Sequence, residues 1–235
     1  MRVVDETAYL IRLTRLGMVN CFLVREDDGF TLIDLNLPGS AEATLSIAKT
    51  KGLPIRRVAL THTHFDHVGS LDALCDQIPH VELCVSAQKS SFLVGDLTLH
   101  DGEAGRRLLG FRTARRRPDR LLADGDRVGS LLAIATPGHS PGHFSFFDTR
   151  DQTLIAGDAY ITQWGVTAAG VFRMYFPQPY LFSWNKALAA KSAKRLLDLG
   201  PSRLAVGHGL TLVSPVSKMK RAVELAFRQC GLVLD

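Results

Sequence analysis

Residues 61 to 67 read Thr-His-Thr-His-Phe-Asp-His and bring four ligand-type side chains, His62, His64, Asp66 and His67, into six positions. Neutral imidazole nitrogen and carboxylate oxygen are the donors that a borderline divalent metal such as zinc accepts. A lone histidine is usually a packed or surface group. Four donors at this spacing have little structural use and point to metal. Further donors recur along the chain, in Thr136-Pro137-Gly138-His139-Ser140-Pro141-Gly142-His143, in Ala156-Gly157-Asp158 and in Val206-Gly207-His208-Gly209. Each follows a short apolar run. The glycines and prolines fix tight loops and let backbone approach closely. Four such loops at strand ends would gather their donors on one edge of a sheet structure. His143 is either a structural residue or a support for a ligand. His80 and His100 belong to no such pattern.

The elements that must position these loops are legible as apolar runs and turn residues. Short strands are expected at 8–13, 19–25 and 30–35, with Asp27-Asp28-Gly29 as a hairpin signal between the last two. Ser40 is a plausible N-cap for a helix over 41–51, with Glu42 in its first turn and Gly52 as its stop. A strand at 57–61 leads directly into the histidine stretch, a helix starts near 69, and a strand follows at 81–86. Residues 87–118 are polar and weakly periodic, which predicts a helical, Arg-rich insertion. Strands resume at 120–122, 131–136, 143–148 and 153–156. A loop over 165–180 precedes a helix at 181–199, a strand at 204–206 and a last helix at 215–230. No repeat or linker divides the chain. The order suggests two similar halves whose sheets pack together with helices outside.

The chain has 235 residues, 46% hydrophobic and 22% charged, enough for a sizeable core. No apolar run is long enough to span a bilayer, and the first residues lack a signal-peptide apolar region, so neither secretion nor membrane anchoring is expected. Cys21, Cys75, Cys84 and Cys230 form no C-x-x-C pair and read as reduced thiols of a cytoplasmic protein. The net charge of +5 owes much to Arg106, Arg107, Arg112, Arg115, Arg116, Arg117 and Arg120. A charge run alone rarely names a partner, so a solvated face is preferred to a nucleic-acid surface.

The T-H-x-H-x-D-H loop, the T-P-G-H loop, the G-D turn and the late G-H-G resemble, in order and approximate spacing, the motifs of the metallo-β-lactamase superfamily over nearly the whole chain. The resemblance implies an α/β fold: a four-layer αββα sandwich of two mixed sheets with helices on the outer faces, as one domain over residues 1–235. It implies that His62, His64 and His139 bind one metal ion, that Asp66, His67 and His208 bind a second, and that Asp158 bridges them. Asp34 matches a position that supports the metal loop from behind. The cofactors implied are two divalent ions, zinc first, with iron or manganese as alternatives. Such a pair shares a water, lowers its pKa toward neutrality and polarises the substrate. Asp66 or Asp158 could then steer the proton to the leaving group.

Fold alone does not select the reaction. The absence of a cysteine near Asp158 argues against the best-known β-lactamases, and His64 stands where flavin-coupled diiron members carry glutamate. Similarity to homoserine-lactone lactonases makes Tyr160 a candidate oxyanion donor. The aromatic stretch after it, with Trp164, Phe172, Met174, Tyr175, Phe176, Tyr180 and Phe182, is either a substrate wall or core packing. Phe172 and Tyr175 are the wall candidates, and Arg173 could bind a carboxylate. The leading expectation is hydrolysis of an ester, thioester or lactone in a small molecule. The alternatives are a mononuclear-iron, persulfide-dioxygenase-like oxidoreductase and a phosphodiesterase.

Overall fold

The computed structural model describes residues 1–100, 103–175 and 177–234. Its first sheet holds β1 (Arg2–Asp5), β2 (Leu10–Arg15), β3 (Val19–Glu26), β4 (Gly29–Ile33), β5 (Ile55–Ala59), β6 (Glu82–Ser86) and β7 (Arg120–Leu122), in sequence order across the sheet. β1 to β4 pair antiparallel, and β4 to β7 pair parallel. The second half contributes β8 (Arg127–Val128), β9 (Leu131–Ala135), β10 (Phe144–Asp148), β11 (Thr153–Ile155), the small ribbon β12 (Tyr160–Ile161) and β13 (Thr167–Ala168), then β14 (Arg203–Ala205) and β15 (Leu212–Val213). Six of these make a sheet in the order β15-β14-β11-β10-β9-β8, mixed because β11 and β14 run parallel.

The helices are α1 (Ala41–Thr50), α2 (Phe65–Val68), α3 (Leu71–Gln77), α4 (Ala87–Leu93), α5 (Gln178–Leu181), α6 (Lys186–Asp198) and α7 (Val216–Cys230). Alternation along each strand sorts the side chains into three layers of core. Cys21, Leu23, Phe30, Leu32, Val58, Leu83 and Val85 face Ala41, Ala48, Leu71 and Leu74 of α1 and α3. Phe22, Val24, Ile33, Ala59 and Cys84, one position away, meet Leu131, Ala133, Phe144, Phe146, Ile155 and Ala205 between the two sheets. Ile134, Phe147, Leu154 and Leu204 turn outward onto Ala190, Ala193, Met219, Val223 and Phe227 of α6 and α7. The period-2 pattern therefore builds helix, sheet, sheet and helix, the α/β architecture expected.

Several local expectations are corrected. Residues 94–119 hold no helix among those described, so the Arg-rich insertion is helical only over α4. Gly95 and Gly110 adopt positive φ there, and side-chain bonds to Asp72 and Asp76 tie Arg115 down instead. Ser40 stands at the N-cap of α1 without a side-chain cap bond, because Arg15 donates to its hydroxyl at 2.8 Å. The expected helix at 181–199 starts only at Lys186, where the Asn185 side chain caps Leu188 N–H at 3.0 Å. The ribbon β12–β13 and the two-residue strands β8 and β15 carry too little pattern to be read from sequence. No helix among the described residues is long and apolar enough to cross a membrane. The four cysteines are unpaired, and Cys21, Cys75 and Cys84 are buried.

Candidate metal centre

The histidine stretch leaves the C-terminal end of β5 and closes into α2, so its donors stand above the end of the first sheet. His139 arrives from the loop between β9 and β10, Asp158 from the end of β11, and His208 from beyond β14. The two sheets thus deliver all seven residues to one edge. Three overlapping groups place one donor atom from each residue within 4.8 Å of the others: His62, His64 and His139; His62, His67 and Asp158; Asp66, His67 and His208. Asp158 faces both sides, with Oδ2 3.5 Å from His139 Nε2 and 3.2 Å from His208 Nε2, and Oδ1 3.5 Å from His67 Nε2. Asp66 Oδ2 lies 3.3 Å from His208 Nε2.

The chemistry of the donors fits a metal. His62 Nε2, His67 Nε2 and Asp158 Oδ1 are buried with no hydrogen-bond partner, while His139 turns Nε2 to the cluster, 3.1 Å from His64 Nδ1. Buried polar atoms are normally paired, so orphans converging on one place mark a ligand site. The opposite ring nitrogens are pinned. His67 Nδ1–H donates to Asp34 Oδ2 at 2.8 Å, and Thr61 donates its N–H to Oδ1 at 2.8 Å and its hydroxyl to Oδ2 at 2.7 Å. Thr61 Oγ1 in turn accepts from His62 Nδ1–H at 3.0 Å. One carboxylate therefore selects the tautomer of two histidines and leaves each Nε2 lone pair free for a cation. Asp34 adopts φ +60°, a left-handed conformation that Asp tolerates better than most residues.

His143 supports Asp158 by a parallel chain. Its Nδ1–H donates to Thr136 Oγ1 at 2.8 Å, Thr136 donates to Ser145 at 3.0 Å, and Ser145 donates to the Ala156 carbonyl at 3.1 Å. His143 Nε2 is left to accept the Asp158 N–H at 3.2 Å. The glycine before His208 has a packing cause. A Cβ on Gly207 would lie 2.6 Å from His67 Cε1 and closer still to Asp158 Oδ1. Gly207→Ala should therefore disturb both groups and lower the metal-to-protein ratio measured by elemental analysis; an unchanged ratio would show that the loop yields freely.

Burial and mutual charge set the protonation of the metal-free cluster. Burial pushes His62, His64 and His143 well below the ordinary histidine range, and His139 down to about 4. Burial acts the same way on His67 and His208, but Asp158 leads the carboxylates that outweigh it, raising His67 to about 9 and His208 well above its usual value. Burial opposes ionisation of Asp158, yet the charges of His208, His67 and His139 hold it well below the usual carboxylate range.

These directions carry a stability consequence. His139 is depressed from 6.5 to about 4, so between those values the unfolded chain binds a proton that the folded chain refuses. Stability of the metal-free protein then falls as pH drops from 6.5 toward 4, by about 1.4 kcal/mol per pH unit from this group. Urea midpoints of chelator-treated protein should be lower at pH 5 than at pH 7; equal midpoints would contradict the assignment.

Other expected residues are placed elsewhere. Tyr160 is corrected: it is fully buried among the side chains under α6 and α7, and its hydroxyl donates to the Ala193 carbonyl at 2.7 Å, so it cannot serve as an oxyanion donor. Phe172 is not brought to the cluster; its backbone N–H bonds Gln229 at the end of α7, and its ring meets Tyr180 at 5.4 Å. Arg173 turns back on its own loop, donating to the Val166 carbonyl at 3.0 Å and to the Tyr175 hydroxyl at 2.8 Å. Phe176 lies outside the described residues. Trp184 is buried, and its backbone N–H donates to the His139 carbonyl at 2.9 Å.

Residues beside the centre that the sequence did not single out come from four segments. Met18, at the β2–β3 turn, offers its carbonyl to His208 Nδ1 at 3.2 Å. Phe65 and Leu210 are exposed next to Asp66 and Gly209. Phe111 lays its ring edge-on against His64, 4.8 Å between centroids. Only large exposed hydrophobics flanking ligand motifs could have signalled them, and Phe111 is far from any motif in sequence.

Comparison with known proteins agrees with this geometry. The family model of the metallo-β-lactamase superfamily matches residues 14–208. The chain is 45% identical over 210 residues to the protein YobT of Bacillus subtilis (strain 168), covering 88% of this chain and 90% of that one. It is 28% identical over 130 residues to a hydroxyacylglutathione hydrolase of Aeromonas hydrophila subsp. hydrophila, spanning 54% of this chain and 41% of the relative. Among solved structures it resembles TTHA1623 in a di-iron-bound form, with a TM-score of 0.64, 26% identity, and 89% and 96% of the two chains covered. Seven donors on one edge of two packed sheets, carried by loops within the matched span, place the chain in one family: it belongs to the metallo-β-lactamase superfamily.

Proposed function

We propose that the protein is a dinuclear metal-dependent hydrolase that cleaves an ester, thioester or lactone. The observation that carries this reading is the set of orphaned donor atoms, His62 Nε2, His67 Nε2 and Asp158 Oδ1, buried beside one another. His62, His64 and His139 would hold one divalent ion, Asp66, His67 and His208 the other, and Asp158 would touch both. Zinc suits the nitrogen-rich set, and the di-iron form of TTHA1623 makes iron the alternative. When bound, such a pair supplies Lewis acidity, polarising a carbonyl oxygen and bringing the pKa of a water toward neutrality.

The chain's own residues supply the rest. Asp34 and Thr61 hold His67 and His62 in the ligating tautomers. His143 fixes the backbone of Asp158. Asp66 keeps 15% of its side chain exposed, against 6% for Asp158. It is therefore the carboxylate better able to accept a proton on the oxygen it does not give to the ion and return it to the leaving group. Exposed Leu16, Met18, Phe65 and Leu210 border the edge and suit an apolar acyl group. The partial relative that is a hydroxyacylglutathione hydrolase favours a thioester among the three bonds.

The test is turnover of matched ester, thioester and lactone substrates by metal-loaded protein, before and after chelation. The expected result is hydrolysis of at least one class, lost on chelation and restored by divalent metal. Loaded protein that cleaves none of the three would overturn the proposal.

A further inference from the structure

Lys89 is a charged-type group near the centre that the chemistry above leaves unused. It is fully buried, and its Nζ has no hydrogen-bond partner. No carboxylate among the described residues forms an ion pair with it. The acid whose charge acts on it is Glu103, whose Oε2 already accepts from Gln88 Nε2 and from the His100 N–H at 2.9 Å. Nζ rests instead over two aromatic faces, 4.6 Å from the centroids of both Phe92 and Phe111. Those rings meet edge to face at 4.9 Å, and Phe111 carries the contact on to His64.

The position is built rather than incidental. The Lys89 N–H donates to Ser86 Oγ at 3.2 Å, and Ser86 donates to the Gly142 carbonyl at 2.8 Å, so α4 is anchored to the loop that holds His139 and His143. The covering segment is anchored too. Phe65 N–H donates to the Gly110 carbonyl at 2.9 Å, and Arg112 N–H to the Thr63 carbonyl at 3.0 Å. Among the described residues, Phe111 is thus the ring that touches both Lys89 and a residue of the metal cluster. Aromatic faces offset only part of the cost of burying an ammonium. Burial with no paired acid holds the Lys89 amine well below the ordinary lysine range, and an anion that reaches it would be held as an ion pair once the amine takes up a proton.

We propose that Lys89 is the specificity-determining cation of the site, pairing with a carboxylate that the substrate carries in addition to the bond that is cut. Phe111 swings off His64 to admit that carboxylate, which then bridges from the cluster to Nζ. This rests on the hydrolase reading for the bond cleaved, but not for the recognition itself. The substrate class is an ester, thioester or lactone with a free carboxylate on its acyl part.

Binding of two unreactive probes to the metal-loaded protein separates the claims. Glutarate presents two carboxylates, and glutaramate presents one carboxylate and an amide. Titration calorimetry should give the wild-type protein at least about tenfold tighter binding of glutarate. Lys89→Met should bring the two probes within about twofold while leaving metal content unchanged. Phe111→Ala, which uncovers the ammonium, should tighten glutarate alone. Equal affinities in the wild type, or a preference that survives Lys89→Met, would overturn the proposal. If Lys89→Met does not fold, the wild-type ratio and the Phe111→Ala shift decide the matter, and failure of either counts against it. A glutarate preference in protein that cleaves no ester, thioester or lactone would sink the hydrolase reading and leave the anion site standing.

Discussion

Asp158→Ala should empty both metal positions and reduce turnover by more than about 100-fold, the upper range seen when a mere supporting partner of a metal ligand is lost. The expectation follows from geometry. Oδ2 of this carboxylate lies 3.5 Å from His139 Nε2 and 3.2 Å from His208 Nε2, while Oδ1 lies 3.5 Å from His67 Nε2. It is the shared acid of three histidines that are otherwise too crowded to carry charge together. Its removal has two effects. The cluster loses the carboxylate that the two proposed ions would share, and His67 and His208 lose the anion that most strongly raises their proton affinity. Elemental analysis beside a kinetic assay checks this. A variant that keeps two ions per chain would show that Asp158 is not shared.

Asp34→Asn should cost metal affinity about 10–100-fold although the residue touches no metal. The substitution keeps the shape and one acceptor for the Thr61 N–H. It replaces the oxygen that accepts from His67 Nδ1–H with a donor. His67 must then present Nδ1 as an acceptor and carry its proton on Nε2, the atom needed by the cation. The Thr61 hydroxyl loses its acceptor as well, which frees the tautomer of His62. Asp34→Ala should in addition orphan the Thr61 N–H and hydroxyl, costing about 1–3 kcal/mol for each buried group left unpaired. Competition with a chelator measures the affinity, and urea unfolding of chelated protein measures the stability. Full affinity in Asp34→Asn would remove the tautomer argument.

The ligand loops were legible because chemistry is local there: His62, His64, Asp66 and His67 share six residues, and His139, Asp158 and His208 each follow a strand and a turn glycine. The layers were legible for a related reason. Alternation in strands such as β3 sends Cys21 and Leu23 to one core and Phe22 and Val24 to the other. What the sequence could not carry was direction. Tyr160 stands two residues from Asp158, yet strand alternation and the pull of the core turn it to Ala193. Phe172 and Arg173 are near Asp158 in sequence, but their partners are Gln229, Val166 and Tyr175. Conversely, Lys89 and Phe111 reach the centre only through tertiary packing of a segment whose polar, Arg-rich composition suggested a solvated helix. Short elements failed for want of signal, since strands of two residues have no period to read.

Anomalous diffraction from crystals of the natively purified protein, collected on both sides of the zinc and iron edges, tests the central claim most directly. Two peaks per chain are expected, one among His62, His64 and His139 and one among Asp66, His67 and His208, both in contact with Asp158. No peak at these residues in active protein, or metal bound only elsewhere, would contradict it.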